Sequence, residues 1–145
     1  MLALQKTRDD AGLELREVPP PPAPGRGEIL IEVAATGICG SDLSIDRWGA
    51  SYKSFMAAKL PVTLGHETAG RIAALGPGVD GLAVGDAVVV NPAVACGRCP
   101  ACEAGDPVGC LDRQAIGMVQ DGAFARYFLC PANYAFPLPA PVSIE

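Results

Sequence analysis

The sequence predicts a mainly β domain, a small barrel or a pair of packed sheets whose strands are joined by irregular loops. Three observations carry that expectation. Gly and Pro number 17 and 14 among 145 residues, about a fifth of the chain against a usual ~12%, which favours turns over long helices. Short runs rich in β-branched residues recur, each bounded by Gly, Pro or Asp. Helical periodicity is scarce. With 50% hydrophobic and 19% charged residues the chain can bury enough apolar area to offset its ordering entropy, and its length suits one domain over residues 1–145.

Taken in order, residues Leu13 to Val18 alternate apolar and polar, as a half-buried strand does. The following Val18-Pro-Pro-Pro-Pro-Ala-Pro-Gly25 reads as a stiff connector rather than a polyproline ligand. Glu28 to Thr36, EILIEVAAT, reads as a longer strand. Ser41 and Asp42 ahead of Leu43 and Ile45 place the start of a short helix near Ser41. Further strands are expected at Thr68 to Leu75, Asp86 to Val90 and Ala123 to Cys130, with a single helical turn around Ala101 to Ala104. Gly76-Pro-Gly78-Val-Asp-Gly81 matches the dinucleotide-binding pattern Gly-x-Gly-x-x-Gly. Its third glycine leads through Gly85-Asp86 into another strand instead of opening a helix toward a pyrophosphate, so it reads as a strand connection.

A formal charge of −5 is the wrong sign for a surface that neutralises phosphates, which argues against nucleic acid as a partner. The best apolar run, Ala87 to Cys96, is interrupted by Asn91 and Pro92, far short of the ~18 residues of a membrane span. The first ten residues, MLALQKTRDD, lack the apolar stretch of a secretory signal. The expectation is a cytoplasmic protein whose six cysteines are thiols or metal ligands.

Cys96, Cys99, Cys102 and Cys110 form Cys-x2-Cys-x2-Cys-x7-Cys in a loop rich in Gly and Pro. A turning backbone with this spacing can aim four sulfurs at one centre, as a closed structural zinc requires. Disulfides and an iron–sulfur cluster are the alternatives; bacterial ferredoxins place their fourth cysteine three residues on and before Pro, whereas Cys110 follows after seven and precedes Leu111. A second group is Cys39 with His66 and Glu67. His66 is the one histidine of the chain, and a His-Glu-x-x-His metalloprotease helix is excluded because Gly70 stands at its second histidine. On these residues alone, a satisfied structural His and a small buried Cys are the more ordinary reading.

Gly37-Ile-Cys39-Gly-Ser41-Asp42, Gly65-His66-Glu67-x-x-Gly70, Val84-Gly85-Asp86-x-Val88 and the four-cysteine loop follow one another in an order that resembles the N-terminal catalytic domain of zinc-dependent medium-chain alcohol and polyol dehydrogenases. The resemblance runs from Glu28 to Pro139 and implies a GroES-like, partly open β-barrel with short helices and a zinc-binding loop. It further implies that Cys39 and His66 are ligands of a catalytic zinc, with Glu67 a neighbouring or exchangeable ligand. Ser41 takes the place of the proton-relay hydroxyl, Asp42 fixes the His66 imidazole from behind, and Cys96, Cys99, Cys102 and Cys110 hold a structural zinc. The implied reaction oxidises a small-molecule alcohol or polyol to a carbonyl by zinc-assisted hydride transfer to NAD or NADP, with Trp48 either shaping the substrate pocket or packing. Ser44 stands where many relatives carry a relay His. Gly40 stands where the classical alcohol enzymes carry Arg or His toward the cofactor phosphates, which leans toward the polyol and threonine dehydrogenase-like branch. The family's Rossmann domain and remaining catalytic zinc ligand are expected beyond Glu145, and the isolated chain is then expected to be inactive. A zinc-stabilised binding module without chemistry and an iron–sulfur electron carrier are the competing classes.

Overall fold

A computed structural model describes residues 1–144. In chain order the strands are β1 (Leu2–Lys6), β2 (Glu14–Glu17), β3 (Glu28–Gly37), β4 (Val62–Thr63), β5 (Glu67–Leu75), β6 (Ala87–Val90), β7 (Ala93–Val94), β8 (Gln114–Ala115), β9 (Tyr127–Pro131) and β10 (Ala135–Pro137). The helices are α1 (Gly40–Asp46), α2 (Ala50–Met56) and α3 (Pro100–Glu103). The expected mainly β architecture is present, and every paired strand among the described residues is antiparallel.

The largest sheet has the order β10-β6-β5-β3-β9, with β2-β1-β4 and β7-β8 beside it; both larger sheets are open at their edges. Strand β3 sits between β5 and β9, and its inward residues Ile29 and Ile31 are fully buried with Ile72, Val88, Phe128 and Cys130. Burying each of these large side chains stabilises the fold by about 1.5–3 kcal/mol. Two register shifts between β3 and β5, at Leu30/Ile31 and Val33/Ala35, bend the pair toward its far end, where Gly37 faces Glu67.

The strands anticipated from alternation are present to within a residue or two, except the last. The run Ala123 to Cys130 is not one strand: Ala123 and Phe124 donate to Gly65 and Leu64 carbonyls (2.9 and 2.8 Å), and pairing with β3 begins only at Tyr127. The chain changes sheets near Arg126, so one apolar run serves two surfaces. Strand β1 was unforeseen because two of its buried residues, Gln5 and Lys6, are polar. Lys6 is fully buried, its ammonium donating to the carbonyls of Asp10 and Gly12 and lying 4.4 Å from the Trp48 ring centre. Trp48 also donates from Nε1 to Asp9 (2.6 Å) and packs against the second core, Ile45, Met56, Val62 and Leu64. These contacts pack Trp48 between the N-terminal segment and the second core.

Candidate metal centre

Cys39 and His66 are far apart in sequence, yet the β3–β5 pairing brings them together. Gly37 pairs with Glu67 at the end of the ladder; Cys39 then leaves β3 to become the N-cap of α1, while His66 immediately precedes β5. One donor atom from each of Cys39, His66 and Glu67 lies within 4.8 Å of the others. Glu67 is exposed, whereas Cys39 and His66 are half-buried.

The imidazole is held from both sides. His66 Nδ1 faces Asp42 Oδ1 at 3.5 Å, and neither atom makes a hydrogen bond. Asp42 is only 2% exposed, so an ionised carboxylate there is costly without a partner, and a proton on Nδ1 supplies one. That tautomer leaves Nε2 with its lone pair directed away from Asp42, and Ser41 Oγ lies 3.1 Å from it. The second oxygen of Asp42 accepts from the Cys39 backbone N–H at 2.9 Å, so one carboxylate starts the helix and orients the histidine. The capping role was missed in the sequence, although an acidic residue three positions after the N-cap is the pattern that announces it. Ser44 Oγ donates back to the Gly40 carbonyl (3.1 Å).

A second group forms where β7 pairs with β8 and closes the loop between them. The sulfurs of Cys96, Cys99, Cys102 and Cys110 lie within 4.8 Å of one another, with Cys99 and Cys102 at 3.5 Å. A tetrahedral ion with bonds of about 2.3 Å separates its sulfurs by roughly 3.8 Å, so the cage fits zinc in size and softness. All six cysteines are free thiols. Backbone donors at Leu111 and Cys102 bring the Cys99 thiol down to about 6. Lost hydration, followed by the hydrogen bond with Cys99, pushes Cys102 up to about 12. The Cys110 thiol is lowered, first by the Cys96 backbone N–H, which lies 3.2 Å from its sulfur. Four crowded sulfurs thus compete for few donors, which a central cation relieves by accepting all four as thiolates. Cys130 is separate and fully buried on β9; burial pushes its thiol up to about 12.

The sequence-derived residues therefore fall into two centres. Cys39, Ser41, Asp42, His66 and Glu67 gather at the end of the β3–β5 ladder, and the four loop cysteines converge separately. The donor chemistry of both fits zinc.

Residues 25–140 match the alcohol dehydrogenase GroES-like domain. Along the whole chain, 145 residues, identity is 42% to L-threonine 3-dehydrogenase of Pyrococcus horikoshii, of which the match covers 41%. Galactitol-1-phosphate dehydrogenase from Escherichia coli superposes with a TM-score of 0.86 at 34% identity, over 100% of this chain and 40% of that one. An alcohol dehydrogenase of E. coli CFT073 solved with NADH gives 0.83 at 35% identity, over 99% of this chain and 40% of its own. The chain thus spans about two-fifths of the length of the curated relatives it matches.

Proposed function

Because the chain belongs to the alcohol dehydrogenase GroES-like domain family of the zinc-dependent medium-chain dehydrogenases, we propose that it is the metal- and substrate-binding half of a cytoplasmic NAD- or NADP-dependent dehydrogenase that oxidises a small alcohol to a carbonyl. The observation that carries this reading is the Cys39, His66 and Glu67 donor set, with Asp42 on one nitrogen of His66 and Ser41 on the other. Zinc held by Cys39 and His66, with Glu67 beside it, would supply Lewis-acid polarisation of the substrate hydroxyl.

The protein's own groups do the rest. Asp42 keeps the Nδ1 proton in place, so that Nε2 is the nitrogen presented to the metal. Ser41 Oγ, within hydrogen-bond reach of that nitrogen, would take the proton of the substrate hydroxyl, and a bound nicotinamide would supply the hydride acceptor. With Ser44 turned back onto Gly40, Ser41 would pass that proton on to water, or to a hydroxyl that a bound cofactor would supply. The four-cysteine cage stabilises the loop and takes no part in the reaction.

The test follows nicotinamide reduction by the full-length protein over a panel of alcohols headed by L-threonine, the substrate named for the relatives, with polyols and simple alcohols after it. Alcohol-dependent reduction that disappears in Cys39→Ala and His66→Ala is expected. Undiminished rates in both variants would sink the assignment.

A further inference from the structure

We propose that Gly117 and Gly122 are positioning residues for His66, acting through the Gly65 peptide; this rests on the reading of His66 as a metal ligand. The carbonyl carbon of Gly65 is bonded to the His66 nitrogen, so whatever fixes that peptide fixes where the imidazole begins. Gly65 is buried and has φ +93°. Two further buried glycines from a distant stretch of chain lie against its backbone. A Cβ on Gly117 would stand 2.4 Å from the Gly65 carbonyl oxygen, and one on Gly122 would stand 2.1 Å from it and 2.5 Å from the Gly117 Cα. The obstructing atoms are backbone, which cannot swing aside as a side-chain end does.

Hydrogen bonds tie the same two segments together. Thr63 N–H donates to Asp121 Oδ1 (2.7 Å), Gly122 N–H to the Thr63 carbonyl (2.9 Å), Phe124 N–H to Leu64 (2.8 Å) and Ala123 N–H to Gly65 itself (2.9 Å). The lacing ends at the residue before His66. Downstream, the side chain meets Asp42 and Ser41 at 3.5 and 3.1 Å, contacts that orient the ring but do not set the backbone from which it projects. The segment around 117–124 is therefore a template for the metal centre, although none of its residues is among the donors.

Adding one methyl at Gly122 forces a shift. Restoring a 3.0 Å separation from the Gly65 oxygen requires movement of close to 0.9 Å. A functional constellation tolerates about 0.5 Å, and metal–ligand distances about 0.2 Å.

The experiment is cadmium-113 NMR with cadmium titration of the full-length protein, in which a four-sulfur site and a mixed sulfur–nitrogen site give separate resonances. In Gly122→Ala, the mixed-site affinity is expected to fall at least tenfold while the four-sulfur resonance keeps its position and occupancy. Gly81→Ala is the control. Gly81 has a positive φ, +76°, which Gly122 does not, and nothing lies within 4 Å of the added Cβ, so Gly81→Ala adds backbone strain without pressing on Gly65. It should leave both cadmium sites unchanged. Asp121→Ala removes one lace without adding volume and should weaken the mixed site about threefold, which decides the matter if Gly122→Ala does not fold. Parent-like mixed-site affinity in whichever of these two folds would overturn the positioning role alone. Equal loss in Gly81→Ala would also overturn it, by reducing the effect to general destabilisation. A parent protein showing only the four-sulfur resonance would overturn the metal reading of His66 and this inference with it.

Discussion

Ser41 lies inside the first turn of α1, one residue past its start, and the helix terminus does not use it. The Cys39 N–H is taken by Asp42 Oδ2, while Ser41 Oγ turns to His66 Nε2. Removing the hydroxyl should therefore spare the fold and damage the chemistry. In the full-length protein, Ser41→Ala is expected to lower turnover by about 10²–10⁴-fold, the range for a lost proton-transfer group, with a melting temperature close to the parent's. A pH–rate profile equal in height and shape to the parent's would remove the relay role. Asp42→Ala should behave differently because its two oxygens serve two partners. Losing the cap costs about 0.5–2 kcal/mol of stability, and losing the orienting carboxylate costs about 10–100-fold in affinity for the metal beside His66. Calorimetric unfolding together with zinc competition would expose either half of that pair if it failed to appear.

Two cysteines belong to elements of opposite kind. Cys110 closes the loop between β7 and β8, whereas Cys130 is an inward residue of β9 in the main core. Cys110→Ser takes one donor from a cage whose proposed metal would contribute folding free energy, and Cys130→Ser only exchanges a small apolar group for a hydroxyl near the Pro131 carbonyl. The first should lower the melting temperature more; equal losses would mean that the loop holds no structural metal. Cys130 carries a further signature. Its folded thiol titrates near 12 against an ordinary 9.0, so between those values the unfolded chain ionises while the folded one does not. The unfolded state then binds fewer protons, and stability falls as pH rises through that window. Cys130→Ala should flatten this alkaline loss relative to the parent, and parallel melting curves from pH 9 to 12 would contradict it. What was legible in the sequence divides along the same line. Strands that bury apolar residues by alternation, such as Glu28 to Thr36, announce themselves, as do short cysteine spacings. Strand β1 stayed hidden because Lys6 is buried through carbonyl and aromatic contacts with residues distant in sequence, and no local pattern encodes those. The site residues could be listed from motifs, but their convergence depends on the β3–β5 register, and the backing of Gly65 by Gly117 and Gly122 depends on loops meeting across two sheets.

At the scale of the molecule, the two donor clusters differ in how completely the chain encloses them. The four-cysteine cage offers a full tetrahedral set from one loop, while the Cys39 centre offers at most three donors, one on the exposed Glu67. A chelator should strip the second first; equal retention at both would count against unequal enclosure. The cofactor gives the last contrast. A nicotinamide dinucleotide is ordinarily held where parallel strands and crossover helices point a helix N-terminus at the pyrophosphate. Among the described residues every strand pair is antiparallel, and the longest helices have seven residues. The Gly76-x-Gly78-x-x-Gly81 run lies between β5 and β6, pinned to the start of β3 by Gly76 N–H on Glu28 (2.8 Å) and Gly27 N–H on Pro77 (2.9 Å). Its first amide and the Pro77 carbonyl are used to hold two strands together, and the next element after it is the strand β6. The net charge of −5 adds a field that repels the phosphates. These 145 residues alone should therefore bind NAD or NADP more weakly than about 1 mM, equivalent to less than about 4 kcal/mol of binding free energy, and show no alcohol-dependent reduction of either. Titration calorimetry is the direct measurement, and a micromolar dissociation constant would show that these residues hold the dinucleotide by means other than a nucleotide-binding fold.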